Sequence, residues 1–307
     1  MQSTNTLLMI EPVAFGFNQQ TAVNNYFQTN IQAQDTQAKA LEEFKNFVEK
    51  LRSKDIDVIT IQDTLEPHTP DSIFPNNWVS FHQNGTVILY PMFAENRRSE
   101  RRSDILSKLG ELGYQINAIE DYSDFELEEK FLEGTGSMIL DREHRIAYGA
   151  VSLRLNEEVF KIWCAEFGYQ PVIFHAYQTV GEQRLPIYHT NVMMCVATDF
   201  AVICLDTLDD VEERNKVVDS LTQTGKTIIE ISEQQMHQFA GNMLEVQNKK
   251  GEKFLVMSQS AYQSLTQEQI EIIQQYCEII SADLDTIEQN GGGSARCMMA
   301  EVFLPKQ

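Results

Sequence analysis

One order of segments returns five times along this chain. Two short apolar runs flank a tight polar turn, an amphipathic stretch follows, and a further apolar run closes the unit. The hairpin signals cover residues 78–90 around Gln83-Asn84-Gly85, 137–149 around 141–144, 192–205 around Thr198-Asp199, and 243–257 around 248–251. Helical spacing follows each of them, at 99–112, 157–167, 211–223 and 267–277, and then a strand-like run at 115–119, 171–174, 227–231 and 278–282. The fifth unit is split. Residues 297–304 read as one strand of a hairpin whose partner is the N-terminal strand at 6–10. That strand leads into a helix over 36–52, with Ala40, Leu41, Phe44, Phe47, Val48 and Leu51 on its apolar face, and a strand over 57–61. The units start roughly fifty-five residues apart, and a supersecondary unit repeated at a fixed period signals a closed or stacked architecture. Because the two termini complete one unit together, the array is expected to close into a ring. No composition shift or Pro/Gly/Ser linker interrupts it, so residues 1–307 read as a single domain of the α/β class.

Charge and cysteine content narrow the partners. The net charge is −21, which disfavours nucleic acid and anionic membranes. No apolar run approaches membrane-spanning length, and the N-terminus lacks the basic and hydrophobic regions of a signal peptide. Five scattered cysteines without a CxxC pair suggest neither a disulfide framework nor a metal site, and the cytoplasm follows by default. Neither a metal nor an organic cofactor is expected. Oligomeric state is left open, a homodimer included.

In a ring of hairpins, the first residues of each leading strand face the common axis. Those positions hold Asn76 and Asn77, Glu133, His189 and Asn191, Asn242, and Cys297. Read alone, each has an ordinary role: Cys297 as one more buried apolar residue after a glycine linker, His189 as a core histidine, Glu133 as a helix-end charge. Read together, they supply a nucleophile, a proton shuttle, an orienting carboxylate and hydrogen-bond donors. Cys164, Cys195, Cys204 and Cys277 lie in apolar helices or strands and read as packing. His175 reads as core, His82 and His144 as hairpin surface.

With these motifs in hand, the chain resembles the penteins, the guanidine-modifying superfamily of arginine deiminases, dimethylargininases and amidinotransferases, over essentially its whole length. That resemblance implies a five-bladed ββαβ propeller. Gly291-Gly292-Gly293-Ser294-Ala295-Arg296-Cys297-Met298 resembles the deiminase nucleophile loop and implies Cys297 as nucleophile. The segment at 132–140 resembles the EGGD-type segment and implies Glu133 as partner of the histidine. Tyr188-His189-Thr190-Asn191 implies His189 as general acid and base. Residues 70–74 resemble the dimethylargininase PDSxF segment, 96–100 its SRRKE run, and 152–154 its SxRT segment. By that match Asp71 would hold a substrate α-amino group, and Arg154, helped by Arg97 or Arg98, the α-carboxylate, which a planar guanidinium fork suits. Phe74 and Trp78 either wall the aliphatic stem or are ordinary core.

The departures from the family pattern carry chemistry. Carboxylates expected around a cationic guanidinium are replaced: Phe74-Pro75-Asn76-Asn77 stands where relatives carry an aspartate, His189-Thr190-Asn191 where deiminases read HxD, and Glu133-Gly134-Thr135-Gly136 for EGGD. An unpaired buried cation is costly, whereas asparagine both donates and accepts. A neutral ureido head on an amino-acid tail therefore fits, with Asn77, Asn191 and Asn242 around it. The expected activity is a cysteine-dependent hydrolase taking citrulline to ornithine, ammonia and CO2, nearest the citrulline hydrolase-like branch. The rivals are a dimethylargininase or arginine deiminase, an amidinotransferase, and a non-catalytic amino-acid-binding relative.

Overall fold

The computed structural model describes residues 1–30 and 35–306. Five three-stranded sheets share one topology: a leading strand pairs antiparallel with a middle strand, which pairs parallel with a third. The parallel step needs a crossover, and a helix supplies it each time. In the first unit Val79–Phe81 and Thr86–Leu89 are followed by helix Ser103–Glu111 and Ala118–Asp121. In the fifth, Ala300–Glu301 pairs with Thr6–Glu11, and Thr6–Glu11 runs parallel to Asp57–Gln62, so both ends of the chain meet in one sheet. A two-stranded ribbon, Tyr177–Val180 with Gln183–Pro186, is an insertion that the repeat pattern did not foresee.

The crossover helices start and stop where local chemistry dictates. The Asn156 side chain accepts from the Val159 amide at the head of Glu157–Phe167, and Gly168 ends that helix in the left-handed region at φ 68°. Asp210 caps Val211–Gln223 in the same way. Helix Thr36–Ser53 buries Ala40, Phe44, Phe47, Val48 and Leu51, a stripe at helical spacing, against a core that includes Leu7, Met9 and Val58 of the fifth sheet.

Two sequence expectations shift. The helix expected over 267–277 runs from Gln267 to Gln274, opened by a capping box at Thr266, and an additional short helix, Gln259–Ser264, precedes it. More consequentially, Cys297 does not open a strand. Its amide donates to Ser294 O at 3.0 Å, and the next two amides repeat the pattern, forming a helical turn that ends before the short strand at Ala300. Arg296 fastens this turn by reaching Met299 O at 2.8 Å and Glu301 at 2.9 Å.

Phe47 is fully buried beneath the fifth sheet. Phe47→Ala is expected to lower the unfolding free energy by about 3–5 kcal/mol. Urea denaturation will register this as a lower midpoint at unchanged slope.

Candidate active site

A single helical turn precedes the leading strand in several units, and these turns, rather than the strands, carry the polar residues. Pro75–Asn77, Gly134–Ser137 and Thr190–Val192 are such turns, as is the turn bearing Cys297. A turn lets one short peptide direct two side chains to the same place. His189 precedes one and Asn191 lies on it.

The sulfur of Cys297 is held by amides from two other units. Asn191 Nδ2 and Asn242 Nδ2 each donate to Sγ at 3.3 Å. Asn242 also donates to Asn191 O at 3.1 Å and accepts from the Arg296 amide at 3.0 Å, so it locks three segments together. This approach requires Gly241, where a Cβ would stand 2.3 Å from Val192 O. Tyr188 secures the glycine loop through its hydroxyl to Gly292 O at 2.6 Å.

His189 donates through Nε2 to Glu133 Oε2 at 2.7 Å. Glu133 is fully buried and also accepts from the Phe93 amide at 3.0 Å and faces Arg154 Nη1 at 3.5 Å. Burial alone would raise its pKa, but Arg154 and His189 outweigh it and hold the carboxyl at about 2. For His189, burial outweighs the carboxylate and brings the imidazole down to about 4, so it is neutral at pH 7. With Nε2 committed to Glu133, Nδ1 is the nitrogen left to exchange protons, and it looks toward Gly136. A Cβ there would lie 3.0 Å from His189 Nδ1 and 2.4 Å from Asn77 Nδ2.

Several expected substrate contacts are otherwise engaged. Arg97 clasps Glu100 through two 2.9 Å bonds, donates to Asn77 Oδ1 at 2.8 Å and reaches the Asp71 and Phe74 carbonyls, which makes it the strut of the 71–77 loop. Arg98, on the same short helix, turns away to Met92 O and Glu126 and lies outside the site. Asn77 is spent on Arg97 and on Asn76. Trp78 belongs to a core cluster with Leu8 and Val79, whereas Phe74 packs in the cluster that contains Cys297 and faces the glycine loop. His175 is exposed and pairs with Glu213, while His82 is buried, the reverse of the sequence reading.

Sequence reasoning missed a strap, residues 18–29, which crosses the mouth. Asn18 and Thr21 donate to Asp71 Oδ2, and Arg154 donates to Asn24 Oδ1 and Thr21 O. Asn25 and Gln28 bond the glycine loop at Gly292 O and Asn290 O, and Phe27 packs on Tyr188 and Phe239. Its residues show no periodicity, so no sequence signal marks it.

Six buried side-chain polar atoms lack a partner among the described residues, and four of them belong to the mouth: Asn24 Nδ2, Asp71 Oδ1, Asn76 Nδ2 and Asn191 Oδ1. Buried polar groups are almost always paired, so these four atoms are the open hydrogen-bonding positions of the mouth.

A family model described as "N,N dimethylarginine dimethylhydrolase, eukaryotic" matches residues 11–304. No curated protein matches the sequence. Among solved structures, similar ones include ArgZ, an arginine dihydrolase from the ornithine-ammonia cycle in cyanobacteria, in its apo form. Its TM-score is 0.73 at 18% identity, covering 98% of this chain and 41% of ArgZ. The chain thus spans about two fifths of that protein's length. The N-terminal domain of ArgZ, as a cysteine-to-serine mutant bound to substrate, matches at TM-score 0.72 and 17% identity over 97% of both chains. DDAH from Pseudomonas aeruginosa, a cysteine-to-serine mutant complexed with citrulline, matches at 0.66 and 15%, over 98% of this chain and 100% of that one. At these identities the likeness is one of fold, a mixed α/β fold similar to that of pentein enzymes.

The two depressed values act in the same direction. His189 contributes stability above pH 6.5 that is lost as pH falls toward 4, and Glu133 contributes stability above 4.5 that is lost toward 2. In denaturation midpoints measured in pH steps, the difference between wild type and His189→Gln should therefore shrink or reverse in sign between pH 6.5 and 4, as the histidine's contribution is lost.

Proposed function

The chain belongs to the eukaryotic-type N,N-dimethylarginine dimethylhydrolase family, within the pentein superfamily of guanidino-modifying enzymes, and from that membership we propose that it is a cysteine-dependent hydrolase of a ureido C–N bond, with citrulline as substrate. Residues 1–307 are read as one catalytic domain whose five units close as a propeller. Contacts between leading strands of neighbouring units, such as Met138–Asp141 beside Met194–Val196 and Ala300–Glu301 beside Val79–Phe81, support that closure.

The observation that carries the substrate is the set of four unpartnered atoms. Asp71 Oδ1 accepts from an α-ammonium, and Asn24 Nδ2 beside Arg154 donates to an α-carboxylate. Asn191 Oδ1 accepts from a ureido N–H, and Asn76 Nδ2 donates to the ureido oxygen. Two donors and two acceptors fit a zwitterionic tail with a neutral head. A guanidinium head would need a free carboxylate. Glu100 is closed by Arg97, and Glu133 by His189 and Arg154.

In the reaction, Cys297 Sγ attacks the ureido carbon while its proton passes to His189 Nδ1. A neutral imidazole is the form able to accept it, and the amides of Asn191 and Asn242 stabilise the sulfur as it becomes anionic. Asn76 Nδ2 receives the developing oxyanion. Glu133 steadies the imidazolium, which then protonates the departing amine. Water, deprotonated by His189, cleaves the thiocarbamate that remains, and the resulting carbamate decomposes. Citrulline and one water give ornithine, ammonia and CO2. Phe74 walls the stem.

Incubation with citrulline, arginine and methylated arginines, with ammonia and ornithine measured, tests this reading. Citrulline should be turned over, and Cys297→Ala should abolish turnover. Arginine hydrolysed faster than citrulline would overturn the assignment of a neutral head and favour an arginine dihydrolase. Asn191→Asp should shift preference toward arginine by at least about tenfold, since it restores one charge pair. Gly136→Ala should leave the fold intact but displace His189, lowering kcat by roughly 100-fold with little change in KM.

A further inference from the structure

A second concavity, of about 430 Å³, lies at the opposite end of the leading strands of the first two units. The turn residues His82, Gln83 and Asn84 form one side and Arg142 and Arg145 the other, with Tyr169 and Phe303 among the walls. On a chain of net charge −21, this is an unusual place for two arginines to converge.

Each guanidinium is posed by an aromatic face. Arg142 lies 4.2 Å over the Phe303 ring and Arg145 4.8 Å over the Tyr169 ring. A guanidinium over an aromatic ring is held in position, and its planar N–H fork suits an oxyanion. Neither arginine is neutralised by a carboxylate of its own. Glu301 lies 3.5 Å from Arg142 but is also held by Arg296 at 2.9 Å, and Arg145 has no carboxylate within ion-pair distance among the described residues. The acidic residue of the lining, Glu166, accepts from the Tyr122 hydroxyl through one oxygen and forms no ion pair with either arginine among the described residues.

His82 completes the lining. It is 8% exposed, stacks on Phe167 at 5.8 Å, and bonds Ser80 Oγ through Nε2 at 2.9 Å. Its Nδ1 has no hydrogen-bond partner among the described residues. Burial, and then the two nearby guanidinium groups, bring its pKa down to about 3. A dianion between them would relieve that repulsion and offer Nδ1 an acceptor once the ring is protonated.

We propose that this concavity is a binding site for a small dianionic oxyanion, a phosphate or a dicarboxylate, separate from the mouth that holds Cys297. The two arginines bind its charged oxygens, and the aromatic walls hold the guanidinium groups in place.

The test is isothermal titration of the full chain with inorganic phosphate and, separately, with succinate, against sodium chloride at matched ionic strength. Saturable binding of one anion per chain by either probe supports the site, and the probe that binds identifies its class. Arg145 is exposed on a turn, so Arg145→Gln should keep the fold, checked by near-ultraviolet circular dichroism, while weakening binding at least tenfold. Ring resonances of His82, assigned by their loss in His82→Gln, should move on titration in the wild type. No binding beyond chloride, undiminished affinity in Arg145→Gln, or unmoved His82 signals would overturn the proposal.

Discussion

Two amide groups from different units meet one sulfur, and the rest of the site depends on that meeting. Asn191 and Asn242 stand fifty-one residues apart in sequence, and each lies 3.3 Å from Cys297 Sγ. Such a contact tolerates little relative movement of the units that supply it, because hydrogen bonds weaken steeply with misalignment. The repeat topology makes the contact possible. Each unit is a small sheet backed by its own helix, and the leading strands of neighbouring units lie side by side. Helical turns at the heads of those strands then carry short polar side chains to a shared centre.

Charge in the mouth follows a clear division. The buried ions that shape the walls are closed on one another. Arg97 and Glu100 form a bidentate pair, and Glu133 is shared by His189 and Arg154. Closed pairs of this kind hold loops in place at modest net cost, whereas a single member left alone would be strongly destabilising. The atoms left open are neutral amides and one carboxylate oxygen. The ions of the wall are thus paired, while the polar atoms without a partner among the described residues belong mostly to neutral amides.

Much of this was legible in the sequence, for physical reasons that also mark where legibility stopped. Hairpin turns and amphipathic helices are local, so the five units and the positions of Glu133, His189, Asn191, Asn242 and Cys297 could be read from pattern. The run from Cys297 to Leu304 misled, because its apolar composition hides a turn that Arg296 fastens through Met299 O and Glu301. Arg97 was read as a substrate ligand although Glu100, three residues on, was a visible partner at helical spacing. His82 looked exposed because it ends a hairpin, yet Phe167 and Trp163 from the next unit cover it. Contacts of that kind depend on how units dock and leave no local trace. The strap from Asn18 to Thr29 is the extreme case. Asn24 matters only because Arg154, one hundred and thirty residues away in sequence, reaches it.

That strap also settles how the site and its solvent are related. Cys297 and His189 are each 2% exposed, and the strap lies over the segments that carry them. The strap is held largely by side-chain amides and hydroxyls on backbone carbonyls and on Asp71, with Phe27 as its main apolar anchor. Segments with few buried apolar contacts open at low free-energy cost, while the sheets beneath do not. Asp71 and Arg154 each bond the strap, so the two residues proposed to grip the ends of an amino acid also hold the cover in place. Under the proposed reaction, burial of Cys297 and His189 would place proton transfer between them in the low-dielectric setting that strengthens it.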